Sequence, residues 1–183
     1  MMEGNEMLRL IESRQSERAF TDRPVEKEKI ERITEAGRLS PSACNGQPWK
    51  FIVVDDPDLV QKVAGATESE LLRINMFVRQ APVIIVVVRE KSNFNSRAGD
   101  LIKRKDYSLV DTGIATASMV YQAAAEGLGT CIIGWLDEYK MRKLLGIPGK
   151  KRVELVICVG YTDNQKRKKS RKPADEVIAF NHY

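Results

Sequence analysis

Apolar residues fall along this chain with two different periods, and the change of period marks out its elements. In residues 6–13, Met7, Leu8, Leu10 and Ile11 recur at helical spacing and predict a short amphipathic helix. In 25–38, Ile30, Ile33 and Gly37 share one helical face amid charge, which predicts a second helix. Trp49–Val54 is an unbroken aromatic and β-branched run and reads as a buried strand, ended by Asp55-Asp56-Pro57. A short helix is expected over 58–64, with Asp58 near its N-terminus, and another over 67–80, burying Leu71, Leu72, Met76 and Phe77. Residues 82–88 form a second buried strand, and 90–106 are polar and irregular. The longest helical pattern, 107–126, is rich in small residues (Gly113, Ala115, Ala117, Ser118, Ala123 to Ala125) and predicts a central packing helix. Gly127 is placed to cap it. A strand over 130–135, a helix over 137–145 with Asp137 as N-cap and Gly146 at its end, and a strand over 153–161 follow. The tail from Thr162 onward is extended, basic, then acidic at Asp175-Glu176. The expected result is a sheet of about four strands with helices around it, in one domain spanning 1–183.

Two segments interrupt this regular pattern. Residues 40–48 cannot be regular: Pro41 ends the preceding helix, Asn45-Gly46 is a turn pair that tolerates positive φ, and Pro48 pushes Gln47 to an extended conformation. The stiff loop carries Ser40, Ser42, Asn45 and Gln47, which suits it either to an ordinary connection or to gripping a flat polar ligand. Upstream, Arg14, Ser16 and Arg18 form an RxSxR pattern. Two guanidinium forks around a hydroxyl can be a solvated helix end or a phosphate cradle, because arginine binds phosphate bidentately. The glycine-rich stretch Gly127-Leu-Gly-Thr-Cys-Ile-Ile-Gly134 lacks GxGxxG and does not open a helix after a strand, which argues against a dinucleotide fold.

Composition narrows the chemistry. The chain has 183 residues, 43% hydrophobic and 30% charged, as in ordinary globular domains. The three cysteines, Cys44, Cys131 and Cys158, form no CxxC pair, so neither a disulfide framework nor a zinc site is indicated. The N-terminus lacks the apolar core of a signal peptide, and the apolar run 82–88 is too short to span a bilayer; a cytoplasmic location without membrane contact is expected. His182 is the one histidine and stands at the second-last position. A Ser-His-Asp or Cys-His unit would have to use a frayed terminus, so in an enzyme the difficult chemistry falls to a cofactor. Net charge is +5, yet Lys166, Arg167, Lys168, Lys169, Arg171 and Lys172 supply six positive charges, and the remainder sums to −1. The excess is one local block, solvated or bound to phosphate or nucleic acid, and it carries no interleaved aromatics for stacking on bases.

The segment 41–49 resembles the PSxxNxQPW signature of the FMN-dependent nitroreductase family, and Arg14-Gln15-Ser16-Glu17-Arg18, Gly127 to Gly134 and Lys169-Ser170-Arg171 match that family in order over nearly the whole chain. The resemblance implies an α+β fold with a central, mostly antiparallel sheet of four to five strands flanked by helices. It also implies a homodimer with an exchanged C-terminal segment, here the basic arm 162–183. It implies FMN as cofactor, NADH or NADPH as reductant, and a nitroaromatic, quinone or similar small-molecule acceptor served in ping-pong fashion; no nucleic acid partner is expected. No side chain is implied as a catalytic acid, and no metal. One chain would supply Arg14, Ser16, Arg18, Ile132, Ile133, Gly134, Lys169 and Arg171, with Gln15 as a backbone or ring contact. The other would supply Pro41, Ser42, Ala43 and Asn45, and Gln47 and Asn75 are placed near the flavin. Lys166, Arg167, Lys168 and Lys172 are expected to be mostly solvated. In the family the region matching 90–106 often covers the flavin pocket; here it is short, which implies a relatively open pocket, with Phe94 as either a lid residue or an ordinary loop aromatic. Two alternatives stand beside this: specialised flavin chemistry on the same fold, such as dehalogenation or flavin modification, and a non-enzymatic nucleic-acid binder using the basic tail.

Overall fold

A computed structural model of the chain describes residues 4–69, 71–91 and 106–183. The expected lid region, Phe94 included, lies outside the described residues for the most part. Four strands make one sheet: β1 (Trp49–Val54), β2 (Val83–Arg89), β3 (Gly129–Ile133) and β4 (Arg152–Gly160). Their order is β1-β2-β4-β3 and every pairing is antiparallel. The helices are α1 (Gly4–Ser13), α2 (Lys27–Arg38), α3 (Pro57–Ala64), α4 (Tyr107–Ala125), α5 (Glu138–Leu145) and the short α6 (Ala174–Val177). The patterning predicted the four strands with helices around them, and the antiparallel α+β arrangement is the one the resemblance implied.

The sheet separates two apolar layers, because side chains alternate across it. Ile84, Val86, Val88, Val156 and Cys158 face α3 and α5, meeting Val60, Val63 and Met141. Val83, Ile85, Val87, Ile157 and Val159 face α2 and α4, meeting Ile30, Ile33, Met119 and Ala123. Strands β2 and β4 are central, which is why β2 reads as a continuous apolar run. Strand β1 lies at the sheet edge and buries Val54 alone. Its run of large residues therefore marks a half-buried edge and not the buried strand expected.

Helix ends follow their chemistry. Asp56, Asp106 and Asp137 accept the backbone N–H groups of Leu59, Leu109 and Lys140 and so cap α3, α4 and α5. Gly127, at φ +76°, turns the chain out of α4, and the Leu128 N–H closes the turn on Ala123 O at 2.9 Å. The helix expected over 67–80 is absent. Ser69 and Ile74 instead exchange two backbone hydrogen bonds across a turn, and a short 3₁₀ helix, Met76–Gln80, follows. Arg73 and Asn75 both have positive φ, which no α-helix accommodates. Leu71 and Leu72 are exposed, and Val78 is the residue buried.

Candidate functional site

The RxSxR segment runs beside the outer edge of β3. Ser16 pairs with Thr130 in parallel sense, and the Glu17 N–H donates to Thr130 O at 2.9 Å. An extended segment turns alternate side chains to opposite sides. Gln15 and Glu17 turn inward, at 9% and 3% exposure, while Arg18 is exposed. Ser16 hydrogen-bonds the Cys131 thiol, and Arg14 and Arg18 lie within electrostatic reach of it. Burial pushes that thiol up, and Arg18, Arg14, a Ser16 hydrogen bond and Arg167 oppose the shift.

The basic arm docks onto the same corner. Lys169 Nζ donates to Ile11 O at 2.6 Å and Lys166 Nζ to Ser13 O at 2.8 Å, so two ammonium groups meet the negative, C-terminal end of α1. Desolvation, then Arg14 and Arg171, lowers the Lys169 pKa. Glu12 opposes that shift. Among the described residues, Arg14, Arg18, Lys169 and Arg171 form no ion pair with a carboxylate. Arg18 and Arg167 line a cavity of about 290 Å³ with Glu17, Ala19, Asn164 and Gln165. Cations without a carboxylate ion pair, beside a cavity and with the Ser16 hydroxyl on the same segment, fit a phosphate group. A larger cleft of about 510 Å³ elsewhere is lined by Asp22, Asp55 and Asp58, charges of the wrong sign for an anion.

Lys166 and Arg167 are exposed, in line with the expectation that they are mostly solvated, yet both also hydrogen-bond to the corner. The Arg167 N–H donates to Gln15 Oε1 at 2.9 Å, and its Nη2 donates to Ser16 O at 2.5 Å. In the run KRKKSRK, nothing in composition separates Arg167 from its neighbours; only the docked path of the arm does.

The loop after α2 forms a second group. Ser40 Oγ donates to Ala36 O at 3.0 Å and pairs with Ser118 Oγ at 2.8 Å. The Ala43 N–H donates to Asp111 Oδ1 at 3.0 Å, from a carboxylate side chain that is only 3% exposed. Ser42 Oγ accepts the Gln47 N–H at 3.0 Å, and Gln47 Nε2 reaches Asn45 Oδ1 at 3.0 Å. Positive φ falls on Cys44, Asn45 and Gln47 (51°, 51° and 45°), while Gly46 is right-handed at φ −70°. Gln47 is therefore not extended, and the turn is made without using the glycine. The loop's conformation is held by the Ser42, Gln47 and Asp111 hydrogen bonds. Pro41, Asn45 and Gln47 are exposed.

The remaining expected residues are spread out. Ile132 is exposed on the face of β3 opposite Cys131, Ile133 is buried in the core, and Gly134 follows the strand end with open space around it. Asn75 Nδ2 donates to Thr67 O at 2.9 Å, which gives it a turn-closing role. Among the described residues, no hydrogen bond or ion pair joins Pro41, Ser42, Ala43, Asn45, Gln47 or Asn75 to the arginine corner. Nor do the described residues hold a group of three or more His, Cys, Asp or Glu arranged for a metal ion.

Residues 11–161 match the sequence model of the nitroreductase family. The chain belongs to the nitroreductase family. It is 32% identical over 170 residues to a putative NADH dehydrogenase/NAD(P)H nitroreductase of Archaeoglobus fulgidus, covering 88% of each chain. It is 25% identical over 184 residues to iodotyrosine deiodinase 1 of Rattus norvegicus, covering 87% of this chain and 63% of the relative. Among solved structures, an FMN-dependent nitroreductase from Clostridium difficile superposes with a TM-score of 0.79 at 28% identity, covering 95% of this chain and 98% of that one. The nitroreductase fold is thus common to sequence and structure. No helix among the described residues is long and apolar enough to cross a membrane.

Proposed function

We propose that this nitroreductase-family chain is an FMN-dependent oxidoreductase that takes hydride from NADH or NADPH and passes reducing equivalents to a nitroaromatic, quinone or similar acceptor. The observation that carries the proposal is that the docked arm brings Lys169 to the end of α1 within electrostatic reach of Arg14, which with Ser16 and Arg18 also acts on the Cys131 thiol, and none of these cations forms an ion pair among the described residues. Arg14, Ser16, Arg18, Lys169 and Arg171 would hold the FMN phosphate, with Gln15 at its margin. When bound, FMN supplies the hydride and electron chemistry. The chain's part is to bind and orient it, with the backbone at Ile132, Ile133 and Gly134 along the ring and solvent supplying protons. Pro41, Ser42, Ala43, Asn45 and Gln47 lie in a separate, pre-shaped loop, which supports a composite site in which a second copy contributes them. Asn75 gives one amide N–H to Thr67 O and keeps a second N–H and its oxygen for the cofactor.

The purified protein is expected to be yellow and to release FMN, not FAD, on acid treatment; a colourless protein that also fails to take up added FMN would overturn the proposal. A second reading, reductive dehalogenation on the same flavin, is favoured by the similarity to a deiodinase. Turnover of halogenated phenols set against nitroaromatics separates the two. The nucleic-acid reading weakens, since Lys166 and Arg167 are engaged with carbonyls of their own chain.

A further inference from the structure

The arm that carries Lys169 and Arg171 is fastened to the arginine segment by a buried polar knot. Both Glu17 oxygens accept: Oε1 from Gln15 Nε2 at 2.7 Å, and Oε2 from Asn164 Nδ2 at 2.8 Å. Gln15 also faces the arm, donating to Gln165 O at 3.2 Å and accepting the Arg167 N–H at 2.9 Å. Asn164 Nδ2 further reaches Ala19 O at 3.4 Å. Space is kept for this knot. A Cβ on Gly129 would stand 2.7 Å from Glu17 Cγ and 2.9 Å from Thr162 Cγ2, so the start of β3 is bare where side chain and arm meet. A carboxylate placed within a cationic corner opposes binding of a phosphate by Coulomb's law. Its location therefore calls for a reason other than charge.

We propose that Glu17 is a positioning residue for FMN: with Gln15 it seats residues 164–167 of the arm, and through them holds Lys169 and Arg171 beside Arg14. This rests on the FMN reading above. It differs from a purely electrostatic role in sign. Removing a negative charge near a phosphate tightens binding, whereas releasing the arm weakens it. It differs from a merely structural role in coupling. If Glu17 acts through the arm, its loss is invisible once the arm's phosphate-directed cations are gone.

The test uses the full chain stripped of flavin. FMN is titrated by fluorescence quenching into wild type, Glu17→Ala, Lys169→Ala/Arg171→Ala and the triple variant. Glu17→Ala is expected to weaken FMN binding by about ten-fold or more in the wild-type background and not at all in the Lys169→Ala/Arg171→Ala background. Unchanged or tighter binding in the single variant would overturn the proposal, as would an equal loss in both backgrounds. Trypsin gives a readout that needs no flavin: the arm of Glu17→Ala should be cut several-fold faster than that of wild type. Equal rates would show that Glu17 does not seat the arm. Where Glu17→Ala fails to fold, Glu17→Gln, which keeps the shape and one acceptor oxygen, should show the same signs in smaller measure. Should wild type itself bind no FMN, the FMN reading fails, and the trypsin comparison alone still decides whether Glu17 seats the arm.

Discussion

Lys169 and Arg171 carry the sharpest consequence for single side chains. Alternation along an extended segment places them on one side, and after desolvation the charges of Arg14 and Arg171 act on the Lys169 ammonium group. Charge-assisted hydrogen bonds to phosphate are worth roughly 1.5–3 kcal/mol each. Lys169→Ala/Arg171→Ala should therefore weaken FMN by about two to four orders of magnitude while the protein stays folded by circular dichroism. The appropriate control is Lys168→Ala/Lys172→Ala, which should remain yellow. Lys166 is unsuitable as a control because its ammonium group meets the end of α1 at Ser13 O. Equal FMN affinity in the two double variants would remove the assigned role of the arm. What the sequence made legible here was the pattern of charge types, RxSxR and KxR. Glu17, Asn164 and Asp111 gave no such signal. Each is an ordinary polar residue in its own segment and becomes distinctive only when a distant segment folds over it. The strain at Cys44, Asn45 and Gln47 was hidden for a related reason: an Asn-Gly pair advertises positive φ at the glycine, and here the glycine does not adopt it.

Among the elements, strands and long helices were legible because their period was sustained. The stretch 67–80 was not, since its apolar residues sit at helical spacing while local side-chain bonds favour a turn. Ser69 Oγ accepts the Leu72 N–H at 3.3 Å, and Asn75 reaches Thr67 O, both alternatives to helical hydrogen bonds. The end of β4 shows how tightly the elements meet. A Cβ on Gly160 would lie 2.7 Å from Pro82 Cδ and 3.0 Å from Phe20 Cδ1, both atoms of rigid rings. Phe20 belongs to the segment leading from the arginine corner to α2, and Pro82 leads into β2. Gly160→Ala should cost about 1–3 kcal/mol through overpacking. The expected result is a lower urea midpoint with an unchanged m-value. A variant as stable as wild type would mean that Phe20 and the Pro82 turn move aside freely.

At the scale of the whole molecule, one face of the chain is finished for contact rather than for water. Helix α4 buries Ala115, Met119, Val120 and Ala123 inward, yet it also presents Leu109, Val110 and Ile114 outward, at 48%, 59% and 39% exposure. Gly113 lies among them with nothing within 4 Å of a Cβ, and Met7 and Leu8 on α1 add further exposed apolar surface. A surface helix is ordinarily polar on its outer side, and a contiguous apolar face on one marks an interface. The loop holding Ser42 and Asn45 is anchored to the same helix through Asp111 and Ser118, so whatever covers α4 is brought close to that loop. A second copy covering this face would complete the composite FMN site proposed above, because among the described residues Pro41, Ser42, Ala43, Asn45 and Gln47 make no hydrogen bond to the arginine corner. Val110→Asp/Ile114→Asp places two charges in the middle of that face and leaves the buried side of α4 unchanged. Light scattering should then show a dimer for wild type and a monomer for the variant. The variant should also purify with little flavin, although every residue of its own phosphate corner is intact. A folded monomer that retains FMN with wild-type affinity would break the link between assembly and cofactor binding and return the whole site to a single chain.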